Sequence, residues 1–189
     1  GICVSTGPIV DYRVKDFLRQ QPEQNTVPLL YPAHCSMNRI EWPKENIRKP
    51  NALIADGTIR KSLFPLGFYC VVKRFSSKEE KRRITASVVD PDVFGNSSVL
   101  AFENHLNVYH ADRRSLHEYL AYGLPIYLNT SFVDQAFRRF NGHTQVNATD
   151  LRQLRYPSRE KLIQIGHWAI RKKSLVPDEI NCYVQEALS

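Results

Sequence analysis

The chain has 189 residues, and its 26 Lys and Arg against 19 Asp and Glu give a formal net charge of +7. Its 42% hydrophobic and 24% charged residues exclude a disordered chain, and its length fits one domain of ordinary size. Apolar runs such as residues 69–72 are far shorter than the roughly 20 residues that span a bilayer. The four cysteines show no C-x-x-C spacing, so we expect reduced, buried thiols in a cytoplasmic protein.

The first 110 residues carry mostly strand and turn signals. Residues 2–4 and 8–10 predict two strands around a turn at 5–7, and the prolines in 27–32 favour an extended segment. Residues 36–66 predict a long ordered loop or short strands. Residues 68–75 and 83–89 predict an antiparallel pair, and 99–110 predict a third strand-like segment.

The remainder is predicted to be mainly helical. A helix near Leu116 and Leu120 is expected to stop at Gly123. A second helix has an apolar stripe from Val133 to Phe140, a capping-box pattern at Ser131 and a stop at 141–142. Ser158 is expected to cap a helix that runs to about residue 173, and a short helix begins near residue 177. The fold class predicted is α+β, with a mixed or antiparallel sheet region over about 1–110 and helices over about 114–188.

The positive charge is concentrated in a few clusters. The densest spans residues 73–83 and holds six basic and two acidic residues. Two smaller clusters lie at 152–161 and 171–173. Such clusters favour a polyanionic partner such as nucleic acid, although solvated loop charges would give the same pattern.

Patterns typical of catalysis are missing. There is no Gly-rich phosphate loop, no H-E-x-x-H and no zinc spacing of cysteines and histidines. Pro91-Asp92 lacks the acid-x-Lys that a nuclease would need after it, and it predicts a turn. We therefore expect no catalytic, cofactor or metal site, and a stand-alone nuclease or hydrolase is disfavoured.

Three segments resemble a known family. Residues 72–83 (VKRFSSKEEKRR), 102–107 (FENHLN) and 140–157 (FNGHTQVNATDLRQLRYP) resemble the C-terminal region of adenine-specific (N6) DNA methyltransferases of bacterial restriction–modification systems. Residues 4–10 and 27–32 fit the start of the same region. The likeness covers about residues 2–165.

This resemblance implies that residues 1–189 form a single target-recognition domain that binds double-stranded DNA. In that family an upstream catalytic domain binds S-adenosylmethionine through a Gly-containing strand–turn and positions adenine with an (Asn/Asp/Ser)-Pro-Pro-aromatic motif. Neither motif is present here. We therefore expect a fragment of a longer chain, as its start at Gly1 without Met also suggests. The fragment is expected to be inactive alone and to be joined to a catalytic domain. A cognate restriction endonuclease is expected as a further partner. An alternative is a specificity subunit that acts with separate methylation and cleavage subunits.

The candidate DNA-contact residues come from the basic cluster and from the polar stretch after the second helix. Cations and turn hydroxyls suit phosphates, whereas Asn, Gln, His and Thr suit base edges. They are Lys73, Arg74, Ser76, Ser77, Lys78, Lys81, Arg82, Arg83, Arg138, Arg139, Asn141, His143, Thr144, Gln145 and Asn147. The structural alternative is that Glu79 and Glu80 neutralise the turn and that 141–147 serves only to cap helices.

Overall fold

The computed structural model of the chain describes residues 1–76 and 79–189. It is an α+β fold, as predicted, in which short strands fill the first 110 residues and helices follow. Its strands are β1 (Cys3–Thr6), β2 (Leu18–Arg19), β3 (Thr26–Leu30), β4 (Cys35–Ser36), β5 (Arg39–Ile40), β6 (Ala52–Ile54), β7 (Phe64–Pro65), β8 (Tyr69–Lys73), β9 (Ala86–Val89), β10 (Val99–Phe102) and β11 (Leu106–His110). Its helices are α1 (Glu118–Leu128), α2 (Ser131–Phe140), α3 (Ala148–Gln153), α4 (Arg159–Ile170) and α5 (Pro177–Leu188).

Two sheets organise the strand region. The first is antiparallel, in the order β1-β11-β8-β9, and the second is mixed, in the order β2-β6-β3-β10-β7. A small hairpin pairs β4 with β5. The predicted antiparallel pairing of the segments at 68–75 and 83–89 is confirmed by β8 and β9, in which Tyr69 lies opposite Val89.

The antiparallel sheet lies between the helices and the mixed sheet. Alternate residues of β8 pack in opposite directions, because successive side chains of a strand point to opposite faces. Cys70 and Val72 join the core under the helices, whereas Tyr69 and Val71 join the core between the sheets. A third core on the far face of the mixed sheet includes Leu29 and Tyr31. Burial on both faces explains why even Ser87 is fully enclosed.

Several predicted elements differ from the structure in the strand region. The turn expected at 5–7 begins later, because Ser5 and Thr6 still pair with β11. The single strand expected over 99–110 is two strands in different sheets, with a turn at 103–105. Glu103 holds this turn, since its Oε2 accepts from the backbone N–H of His105 at 2.9 Å. Of the two alternatives for residues 36–66, a long ordered loop or short strands, the structure shows short strands.

The helical predictions fail mainly at the ends of helices. The helix does not stop at Gly123, and α1 continues to Leu128. Gly123 instead gives α4 room to approach, because a Cβ there would clash with the backbone of Leu162. The end of α2 at Phe140 is as predicted, but the helix begins one residue earlier, with Thr130 as its N-cap, so no capping box forms at Ser131. Ser158 caps α4 as predicted, and its Oγ accepts from Lys161 N at 3.3 Å.

The cysteine prediction is half right. Cys35 and Cys70 are buried, and burial raises the pKa of the Cys35 thiol to about 12. Cys3 and Cys182 are exposed. Among the described residues, no helix is both long and apolar enough to cross a membrane.

Candidate nucleic-acid interface

The two segments predicted to contact DNA lie side by side. Residues 74–76, which directly follow β8, run antiparallel to residues 144–146, which follow α2. Ser76 N donates to Thr144 O at 3.1 Å, and Val146 N donates to Arg74 O at 2.7 Å. Phe75 therefore lies opposite Gln145. Two segments about 70 residues apart in sequence form one surface.

Strand β11 also supports the paired segments 74–76 and 144–146. The Asn107 side chain is fully buried, and its Nδ2 donates to Val146 O at 2.7 Å. Val146 is itself buried in the core under the helices. The position of residues 144–146 is thus fixed by backbone pairing on one side and by the sheet on the other.

Arg83 links the two segments from inside the protein. Only 2% of Arg83 is exposed. Its Nε donates to Ser76 Oγ at 3.0 Å, and its Nη2 donates to Asn141 Oδ1 at 3.1 Å and to the backbone O of His143. The guanidinium also lies over the ring of Phe137, 5.8 Å from its centroid. All these contacts turn the guanidinium toward the protein, so Arg83 is placed to position the surface.

Asp134 of α2 anchors the start of β9. It is buried, and its Oδ1 accepts from the backbone N–H groups of Arg83 and Ile84 at 2.7 and 3.0 Å. Its Oδ2 accepts from Arg138 Nε at 2.8 Å. Arg138 Nη2 also donates to Glu80 O at 2.8 Å, so this carboxylate and guanidinium tie α2 to the basic turn.

Other predicted residues also hold the surface together. Arg82 Nη1 donates to Asn129 O at 2.6 Å. Ser76 and Asn141 are buried, and Asn141 Nδ2 donates to Asp150 Oδ2 at 2.8 Å. The backbone N–H of Asn147 donates to the same Asp150 oxygen at 3.0 Å where α3 begins. Of the two residues expected to cap the next turn, Asn147 and Thr149, the structure has Asn147 at the N-cap position of α3.

A third group of predicted residues is exposed or half-buried. Lys81, Arg139, His143 and Thr144 are exposed, and Lys73, Arg74 and Gln145 are half-buried. Their side chains supply cations and hydrogen-bonding groups around the paired segments. Ser77 and Lys78 were also predicted to contact DNA, and they lie outside the described residues.

The turn between β10 and β11 completes this surface. Arg74 N donates to His105 O at 2.9 Å, and Arg74 Nη1 donates to Asn104 O at 3.2 Å. The rings of Phe75 and His105 meet edge to face with centroids 5.0 Å apart. His105 Nδ1 lies 2.7 Å from Glu103 Oε1. Burial raises the pKa of the Glu103 carboxyl, and the contacts with His105 partly offset that shift.

The exposure of Phe75 was not predicted from the sequence. Its apolar side chain fitted the strand predicted over 68–75, in which it would be a packing residue. In the structure β8 ends at Lys73, and Phe75 is 47% exposed among cationic and polar groups. The sequence signal for this exposure was the interruption of the apolar strand by Lys73 and Arg74.

A cleft of about 630 Å³ lies elsewhere, between β1, α3 and α4. Its lining includes Val4, Tyr109 and Tyr156, and its charged groups are Arg152 and Arg159. None of the predicted DNA-contact residues lines it. Among the described residues, no group of three or more His, Cys, Asp or Glu side chains is arranged to hold a metal ion.

The chain is similar in sequence to known proteins. No protein-family model matches the chain. The chain is 52% identical over 188 residues to the Type II methyltransferase M.BsuBI of Bacillus subtilis, an alignment that covers 99% of this chain and 37% of that protein. It is 46% identical over 167 residues to the Type II methyltransferase M.PstI of Providencia stuartii, covering 88% of this chain and 33% of that protein. The chain thus corresponds, along nearly its whole length, to about a third of the length of Type II methyltransferases.

Proposed function

We propose that this chain is the DNA target-recognition module of a site-specific adenine-N6 methyltransferase in a restriction–modification system. The observation that carries the proposal is the direct pairing of residues 74–76 with 144–146, which gathers cations and base-compatible side chains on one surface. The similarity to two Type II methyltransferases favours this role over a separate specificity subunit.

The residues of the surface divide into three roles. Lys73, Lys81 and Arg139 hold phosphates, because cations that reach solvent bind the DNA backbone without regard to sequence, and of these Lys81 and Arg139 are exposed and Lys73 is half-buried. His143, Thr144 and Gln145 face base edges, since they carry the donors and acceptors that base edges match. The residues that position both sets are Ser76, Arg82, Arg83, Arg138, Asn141 and Asn147.

The rest of the methyltransferase supplies the chemistry. S-adenosylmethionine, which provides the methyl group, carries a sulfonium, an ammonium and a carboxylate. The 630 Å³ cleft is lined by Arg152 and Arg159 and by no Asp or Glu of the described residues, so it offers no carboxylate to the two cationic groups of this cofactor. We assign cofactor binding and the flipped adenine to an upstream catalytic domain. A cognate restriction endonuclease would recognise the same DNA site in the cytoplasm.

Substitution of the three phosphate-holding cations tests the proposal. In the full-length methyltransferase, the combined change Lys73→Ala, Lys81→Ala and Arg139→Ala should weaken binding to all duplexes. Each lost phosphate contact should reduce the slope of log K against log salt by about 0.9. Fluorescence anisotropy over a salt series measures both quantities.

A charge-matched control is available on the same chain. Arg13, Lys15 and Arg60 are also exposed, and they lie on 3-10 turns of the strand region. Their combined replacement by Ala should leave the salt slope as in the wild type. Equal slopes for the wild type and both triple variants would rule out the proposed DNA surface.

A further inference from the structure

Phe75 is held in an exposed position by its backbone. The two residues beside it are paired, because Arg74 O accepts from Val146 N and Ser76 N donates to Thr144 O. The ring is nevertheless 47% exposed. Exposing so large an apolar side chain gives up much of the free energy that its burial would contribute. A fixed, exposed aromatic ring is a suitable contact for an apolar group on a partner.

Gln145 lies beside Phe75 on the same face. Directly opposed residues of an antiparallel bridge have their Cβ atoms roughly 4.5–5.5 Å apart. The backbone O of Gln145 accepts from Asn141 Nδ2 at 3.1 Å, which fixes the main chain at this point. Within the described part of the chain, the side-chain amide of Gln145 makes no hydrogen bond, so its donor and acceptor remain available for a ligand.

The surroundings of this pair favour a polyanion. The Arg74 guanidinium lies 5.9 Å from the centroid of the Phe75 ring, and His105 packs against that ring. The carboxylate of Glu103 is fully buried behind His105 and presents no exposed negative charge. An apolar ring and a free amide within a cationic surface match the major groove, where phosphates flank base edges.

An A·T base pair presents both of the chemical groups that this pair can bind. In the major groove, adenine offers N7 and N6 to a Gln amide, and thymine offers its 5-methyl group to an apolar side chain. We propose that Phe75 and Gln145 together recognise one A·T pair of the DNA target, with Phe75 contacting the thymine methyl. This inference rests on the proposed function and assigns one element of its specificity.

Replacement of thymine by deoxyuridine tests the methyl contact, because it removes only that methyl group. The probes are duplexes that contain the site methylated by the full-length enzyme, with each thymine replaced in turn. For the wild type, one replacement should weaken binding about fourfold, the effect of losing one buried methyl group. Phe75→Ala should bind thymine and deoxyuridine equally at that position.

Two further variants control for folding and for general exposure of aromatic rings. Phe75→Leu keeps an apolar side chain and should retain part of the discrimination. Phe140 is exposed to a similar extent, 45%, and Phe140→Ala should retain all of it. Gln145→Ala should lose its sensitivity to 7-deazaadenine, which lacks the N7 acceptor, at the same base pair.

The outcomes separate this inference from the proposed function. If Phe75→Ala shows the same deoxyuridine penalty as the wild type, or if no thymine matters to the wild type, the methyl contact is refuted while DNA binding through the cations still stands. If the cation variants leave the salt dependence unchanged, the DNA surface itself is wrong. If Phe75→Ala fails to fold, Phe75→Leu decides. The proposed pair is refuted if Phe75→Leu keeps the full deoxyuridine penalty and Gln145→Ala keeps the wild-type sensitivity to 7-deazaadenine.

Discussion

Arg83 shows how strongly the role of one cation depends on its surroundings. It lies in the densest basic run of the chain, yet its guanidinium donates to Ser76, Asn141 and His143 within the protein. Sequence alone cannot separate it from the adjacent Arg82 or from Lys81, because a charge run carries no information on burial. Only the fold turns the guanidinium of Arg83 into the interior.

Arg83→Ala should destabilise the fold. The change leaves Asn141 Oδ1 and His143 O without their buried donor, so we expect a loss of about 2–4 kcal/mol in the free energy of unfolding. Arg83→Lys should recover only part of it, since an ammonium cannot reproduce the planar set of donors. Urea unfolding measures the effect. Exposed Arg139→Ala is the control, and an equal effect of both alanine variants would contradict the buried role of Arg83.

His34 predicts a pH dependence of stability. It is buried, its Nδ1 accepts from Tyr31 N at 2.9 Å, and its Nε2 lies 2.9 Å from Asn51 Oδ1. These partners suit the neutral ring, and burial lowers the pKa of His34 below its ordinary 6.5. The unfolded chain therefore binds more protons below pH 6.5, so stability should fall on acidification by up to about 1.4 kcal/mol per pH unit.

Urea unfolding between pH 5 and 8 measures this dependence. His34→Asn offers an oxygen in place of Nδ1 and should flatten the dependence. A residual slope should remain, because burial also lowers the pKa of His110. If His34→Asn and wild type lose stability equally on acidification, the burial argument is incorrect.

At the scale of elements, the contact between α1 and α4 depends on two glycines. A Cβ at Gly123 would overlap the backbone O of Leu162, and a Cβ at Gly166 would overlap the backbone O of Tyr119. Both obstacles are main-chain atoms, so the helices themselves would have to separate. Gly123→Ala and Gly166→Ala should each cost about 1–3 kcal/mol.

The two glycine changes should also be coupled. Either alanine alone forces the helices apart, so the double variant should lose less stability than the sum of the single losses. Gly57 is the control, because a Cβ there meets nothing within 4 Å. Gly57→Ala should be neutral or slightly stabilising. Thermal unfolding of the four variants measures these effects, and strictly additive losses would refute a shared crossing point.

Sequence patterns identified elements better than their ends and neighbours. The period of β9 and the stripe of α2 predicted both elements, and the antiparallel pairing of β8 with β9 followed from their short connection. Gly123 was misread as a stop because a glycine at a helix crossing and a glycine at a helix end look alike in sequence. The break at Glu103 was missed because the residues before and after it pair in different sheets, which no local pattern encodes.

At the scale of the whole molecule, the candidate surface could be predicted only in part. The resemblance of three segments to a known family pointed to the basic cluster and to the polar stretch after α2, which form two parts of this surface. Their contact with each other is the bridge between Phe75 and Gln145, and α2 is held nearby through Asp134, which binds the backbone of residues 83–84 just before β9. No local pattern encodes a pairing between such distant residues, so the joint surface required the fold.

The layered cores predict that the chain unfolds as one cooperative unit. Strands β8, β9 and β11 contribute alternate residues to the core under the helices and to the core between the sheets. The loss of either core therefore removes the packing of the other. The two tryptophans report on them separately, because Trp168 stacks on Tyr183 in the helical layer and Trp42 packs on Phe94 beside the core between the sheets.

Single-tryptophan variants of the 189-residue chain test this cooperativity. Trp42→Phe leaves Trp168 as the fluorophore, and Trp168→Phe leaves Trp42. In each variant, the urea midpoint from fluorescence should equal the midpoint from far-UV circular dichroism, because a two-state transition gives the same midpoint with every probe. Comparing the probes within one variant removes the effect of each substitution on stability. A fluorescence transition of Trp168 that precedes the dichroism transition would show instead that the helices detach from sheets that remain folded.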